Sequence, residues 1–172
     1  MAIFNFVKPD KIVLQKANDF EAQFEFRPLE PGYGVTIGNA LRRVLLNSLE
    51  GYAINGINIS GADHEFATVK GVTEDVTEII LNLKQVRFKA KVDHDVNNEK
   101  VTLSLKNKTE FTAGMIGEAS PAFEVMNPEL LICTLDNSAK LDIEITIGRG
   151  RGYVPAEEHK EKSSHFGYIP VD

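Results

Sequence analysis

Apolar and polar residues alternate strictly from Phe20 to Arg27, with Phe20, Ala22, Phe24 and Phe26 set against Glu21, Gln23, Glu25 and Arg27. That period of two predicts a strand with one buried face. Pro28, Pro31, Gly32 and Gly34 then interrupt the pattern, and a helical period takes over from about Ile37 to Leu49. At about 100° per residue, Ile37, Ala40, Leu41, Val44 and Leu45 share a broad arc that suits the chain's own core. Leu46 falls on the opposite side with Asn39, Arg42 and Arg43, so this helix has two faces to hide. Such an arrangement fits a partner-binding helix, although single surface leucines are common and paired arginines are often merely solvated.

Ile54, Ile57 and Ile59 suggest a further strand after Gly51. A second helix is predicted from Thr73 to Lys84, with Glu74 and Asp75 in its first turn and Lys84 near its negative end. Val72, Val76, Ile79, Ile80 and Leu83 form its apolar stripe. From Val86 the period returns to two. Val86–Val92 and Val101–Leu105 read as a hairpin joined by the polar segment from His94 to Lys100. Leu141, Ile143, Ile145 and Ile147 make another alternating strand, expected to end at Gly148, and the charged tail from Glu157 to Ser164 reads as a loop. Strand, helix and then a strand-rich block with an early helix make an α+β pattern.

Little in the chain points to catalysis. Asp93-His94-Asp95-Val96-Asn97-Asn98 begins like a calcium loop, but its sixth position is Asn98 rather than glycine and its twelfth is Ser104 rather than an acid. Asp63-His64-Glu65 cannot converge in an extended segment, where neighbours point to opposite faces. His159 and His165 have no partners at zinc spacing. Neither a metal nor a cofactor is expected. Gly148-Arg149-Gly150-Arg151-Gly152-Tyr153 has glycines that would let a backbone approach a phosphate, yet no Walker or dinucleotide fingerprint surrounds it. It reads either as a strand-ending turn with exposed arginines or as a contact loop.

Three long strings occur in one order: Gly32-Tyr33-Gly34-Val35-Thr36-Ile37-Gly38-Asn39-Ala40-Leu41-Arg42-Arg43-Val44-Leu45-Leu46, then Gly71-Val72-Thr73-Glu74-Asp75-Val76-Thr77-Glu78-Ile79-Ile80-Leu81-Asn82-Leu83-Lys84, then Gly150-Arg151-Gly152-Tyr153-Val154-Pro155-Ala156. Together they closely resemble the amino-terminal domain of bacterial RNA polymerase alpha subunits, from about Phe6 to Asp172. The resemblance implies a dimerisation subdomain beginning at residues 1–50, an inserted subdomain at 51–166, and a return into the first subdomain at 167–172, where the sequence stops. It further implies a noncatalytic assembly subunit of DNA-directed RNA polymerase that forms a homodimer and recruits the beta and then the beta-prime subunit. DNA contact would belong mainly to a separate carboxy-terminal domain. On this basis Arg42, Arg43 and Leu46 are expected at the beta contact, Glu78, Lys84 and Val171 at the beta-prime contact, and Asn39 and Leu46 at the dimer interface. Arg149, Arg151 and Tyr153 become a candidate large-subunit contact loop. Where this chain has Val35, many family members have histidine.

Composition agrees with that picture. The chain is 42% hydrophobic and 26% charged, enough for one domain or two small ones. A net charge of -6 argues against a nucleic-acid surface spread over these residues. The single cysteine, Cys133, lies in an apolar run and is expected to be a buried, inert thiol. No apolar run is long enough to span a bilayer and the first residues lack a signal-peptide pattern, so the cytoplasm is the default location. Polymerase chemistry needs carboxylates holding magnesium, and the only Asp-x-Asp is in the loop already discounted. The alternative function is an independent phosphate- or small-molecule-binding protein using Gly148–Tyr153.

Overall fold

A computed structural model describes residues 6–18, 21–91, 98–162 and 167–172. The chain divides into two compact units, Met1–Ser48 and Leu49–Asp172. Phe20, most of the calcium-loop-like run and His165 lie outside the described residues.

In the first unit, β1 (Lys11–Ala17) pairs antiparallel with β2 (Ala22–Arg27), and α1 (Tyr33–Asn47) follows. The helix starts four residues before the predicted Ile37. Gly32 takes φ 88° at the N-cap, a left-handed conformation open to glycine at little cost. Gly34, read as a breaker, lies inside the first turn, because glycine weakens a helix by only about 1 kcal/mol. Two of the predicted burial patterns differ from the structure: Phe24 on β2 is exposed, and no α1 side chain is buried, Ile37 being only partly covered. A hairpin and one helix have too little surface to cover every apolar face they carry.

The second unit begins with β3 (Glu50–Ile59), continues through α2 (Val76–Leu83), β4 (Phe88–Ala90), β5 (Glu99–Lys106), β6 (Glu110–Thr112), α3 (Ala113–Ala119), β7 (Phe123–Val125), β8 (Leu131–Thr134), β9 (Lys140–Arg151) and α4 (Ala156–Lys162), and closes with β10 (Tyr168–Pro170). Its main sheet is antiparallel in the order β10-β3-β9-β5. Cross-strand rows carry the core: Ile145 lies between Ile57 and Val101, and Ile143 lies between Ile59 and Leu103. The predicted inner face of Leu141, Ile143, Ile145 and Ile147 is buried throughout. Ile54, one position out of phase with Ile57, is buried as well, because the register shifts between Ile54 and Gly56. The extra residue, Asn55, resets the alternation.

Three further expectations differ from the structure. The 86–92 and 101–105 runs do not form a hairpin: β4 pairs with β7, while β5 pairs with β9. The 141–147 strand continues to Arg151, pairing with β3 as far as Glu50. Ala156–Lys162 is helical where a loop was expected. Residues 168–170 pair with β3 in the second unit, and Ile169 and Val171 are buried there.

Candidate partner-binding site

On α1 the residues singled out from sequence share one face. Asn39, Arg42, Arg43 and Leu46 follow the i, i+3, i+4, i+7 spacing of neighbours along a helix, and Leu46 is 58% exposed. Neither arginine has a hydrogen bond or ion pair within the described residues, whereas Arg27 pairs with Glu25 in the same unit at 3.1 Å. Val35 lies on this face too, one turn before Asn39, and is exposed. The result is two unpartnered guanidinium groups flanking an exposed leucine. Planar guanidinium donors suit bidentate carboxylate contacts, and an adjacent apolar anchor suits an interface core.

The acidic start of α2 is built differently from the prediction. Asp75, not Thr73, is the N-cap: its Oδ1 accepts from the Glu78 backbone N–H at 2.8 Å, and Glu78 Oε2 accepts from the Asp75 N–H at 3.3 Å. This reciprocal capping box satisfies two helix-end donors. Glu74 lies before the helix and takes both the backbone N–H and the hydroxyl of Thr134, at 2.7 and 3.1 Å. Each of the three acids therefore has a partner within the chain. Glu78 remains exposed on its outer side, with Leu81 exposed one turn on.

Lys84, at the C-cap, reaches Asp172, with Nζ 2.5 Å from Oδ1. The Tyr153 hydroxyl donates to the other oxygen, Oδ2, at 3.1 Å. Lys84, helped by Tyr153 and opposed by partial burial, holds the Asp172 carboxyl below its usual range, and that carboxylate in turn raises the Tyr153 phenol. Val171, next to Asp172, is only 2% exposed. Lys84, Tyr153 and the Val171–Asp172 end of the chain thus come together from three distant stretches of sequence. Asp172 was not singled out from sequence, since nothing local marks a carboxylate whose partners lie 88 and 19 residues away.

The Gly148–Tyr153 segment is not a phosphate cradle. Its first four residues are paired in β9, and the space a Gly148 Cβ would need is taken by the Asn55 amide. Arg149 pairs with Glu50 across the strands, while Arg151 is exposed at the strand end. Cys133 is fully buried, and burial, with Glu74 nearby, pushes its thiol up to about 12. Among the described residues no group of His, Cys, Asp and Glu is arranged to hold a metal ion, and no helix is long and apolar enough to cross a membrane.

A family model described as the RNA polymerase Rpb3/RpoA insert domain matches residues 56–172. The chain belongs to that family. The matched stretch falls within the second unit, from the residue after the β3 bulge to Asp172. The whole chain is also similar to proteins named DNA-directed RNA polymerase subunit alpha: 59% identical over 172 residues to that of Cytophaga hutchinsonii and 58% to that of Flavobacterium psychrophilum, covering 100% of this chain and 52% of each relative. Similarity to the alpha subunit of Prosthecochloris aestuarii is 49% over 172 residues. The chain spans about half the length of the curated relatives it matches. These matches bear out the resemblance carried by the three sequence motifs.

Proposed function

We propose that this chain is part of the noncatalytic assembly subunit of bacterial DNA-directed RNA polymerase, a platform that dimerises and gathers the beta and beta-prime subunits. The observation that carries the reading is the α1 face, where Arg42, Arg43 and Leu46 stand exposed, the arginines without a hydrogen-bond or ion-pair partner among the described residues, in a chain similar along its whole length to alpha subunits. Arg43, with Arg42, supplies the charged contact to the beta subunit. Leu46 and Asn39 supply the dimer contact. On the second unit, Glu78 and Lys84 form the beta-prime side, and Arg151 with Tyr153 adds a large-subunit contact at the end of β9.

The test is beta capture by a full-length alpha subunit carrying this sequence. Arg43→Ala should weaken recovery of beta while leaving the circular dichroism spectrum and the thermal transition unchanged. Recovery at the parent level by the folded variant removes Arg43 from the contact. Co-purification of neither large subunit with the unaltered chain removes the assembly role.

A further inference from the structure

The last residues are held at more points than three ladder positions require. The bulge in β3 frees the Asn55 carbonyl, which accepts from the Val171 N–H at 2.9 Å and from the Tyr168 hydroxyl at 3.2 Å. Ile169 and Val171 on either side of Pro170 are buried. One residue further, both oxygens of the Asp172 carboxylate are engaged, one by Lys84 from the end of α2 and one by Tyr153 from the turn after β9. Two donors arriving from different elements fix the plane of a carboxylate, where a single ion pair would leave it free to swing.

We propose that Lys84 and Tyr153 are positioning residues: they latch Asp172 and so set the direction in which the backbone runs past β10. On this view Lys84 serves large-subunit recruitment through Asp172, not by touching the partner. The recruitment half rests on the function proposed above, whereas the latch itself does not. The pair is about one-third exposed, at 36% for Lys84 and 34% for Asp172, and such pairs add little to global stability. Losing it should loosen the strand end and spare the core.

The test is a mutant cycle in the full-length subunit, with Lys84→Ala, Asp172→Ala and the double variant, each read in two ways. Backbone amide exchange at Val171 should quicken by up to about fivefold in either single variant and no further in the double, as expected for two members of one interaction. The amides of Ile57 and Ile145 should keep the parent rate. Tyr153→Phe, which removes one hydroxyl from an exposed ring, should shift Val171 in the same direction. The second readout is the rate at which beta-prime joins the alpha–beta assembly, where the single and double variants should again match. Parent exchange at Val171 in Lys84→Ala overturns the latch. Altered exchange with additive losses in recruitment means that Lys84 touches the partner itself, which overturns the indirect role. Altered exchange with recruitment untouched in every variant leaves the latch standing and overturns the part in assembly given to Lys84.

Discussion

Replacing Gly56 with alanine should be among the costliest one-methyl changes in this chain. Gly56 sits just after the β3 bulge, opposite Pro170 of β10, and the Tyr168 ring lies over its α-carbon. A Cβ built there would fall 2.1 Å from the Tyr168 hydroxyl oxygen, 2.2 Å from Cζ and 2.6 Å from Cε2. The far end of a rigid ring would be struck at three atoms, so no small rotation relieves the clash and the ring must leave its place. That costs about 1–3 kcal/mol for forced repacking. The displaced phenol also gives up its hydrogen bond to Asn55, worth about 0.5–1.5 kcal/mol net. The expected destabilisation is roughly 2–4 kcal/mol, read from urea unfolding of the parent and variant chains. Gly148→Ala is the control: its Cβ would meet chiefly the Asn55 side-chain amide at 1.9 Å, the end of a side chain able to turn away, so its cost should be smaller. Tyr168→Ala in the Gly56→Ala background should lose less than the two single changes added together. A Gly56→Ala variant within about 0.5 kcal/mol of the parent, or strict additivity with Tyr168→Ala, refutes the idea that the ring occupies that space.

Four other outcomes are expected. Asp75→Ala should destabilise the second unit by about 1 kcal/mol by uncapping α2. Glu78→Gln should keep the capping box while removing the charge, so impaired beta-prime joining by this stable variant identifies a charge contact, and normal joining confines Glu78 to its cap. Ile145→Ala, at a position with no exposure between Ile57 and Val101, should cost about 2–5 kcal/mol in denaturant unfolding. Cys133 should resist thiol reagents in the native chain at pH 8. Because its thiol titrates higher in the folded protein than the 9.0 of a free thiol, it favours the folded state below that value and the benefit fades as pH rises from about 9 toward 12; a pH series comparing the parent with Cys133→Ala, whose decline should be shallower, measures this.

What could be read from sequence was what short-range periodicity encodes. The α1 face bearing Arg42, Arg43 and Leu46 follows from helical spacing alone, and the inner face of β9 follows from strict alternation. Which strand meets which does not. Both β4 and β5 alternate on either side of a polar stretch and so imitate a hairpin, but β5 finds its partner in β9, where Val101 and Leu103 continue rows begun by Ile145 and Ile143. Nor does a bulge announce itself: Asn55 is one of two asparagines in β3, and only the burial of both Ile54 and Ile57 reveals that it is the extra residue. Starting the second helix at Thr73 failed for a simpler reason, since Asp75 offers an equally good capping oxygen and is followed three residues later by Glu78, the combination that completes the box. At the candidate site, the chemistry of single residues was visible, but the meeting of Lys84, Tyr153 and Asp172 was not, because it depends on β10 docking against β3.

The pairing of β3 with β9 also sets a clock. Ile54 meets Ile147 across about ninety residues of intervening chain, a closure whose entropy must be spent before any of its contacts form. At a synthesis rate of about 5–20 residues per second, β3 emerges some 5–20 s before its partner exists. Through that interval a strand containing three isoleucines, with two open edges, waits without its sheet, and the exposed helix before it is already made. The nascent chain is therefore most vulnerable to wrong pairing in mid-synthesis, and a chaperone that holds extended apolar segments would find its best substrate there.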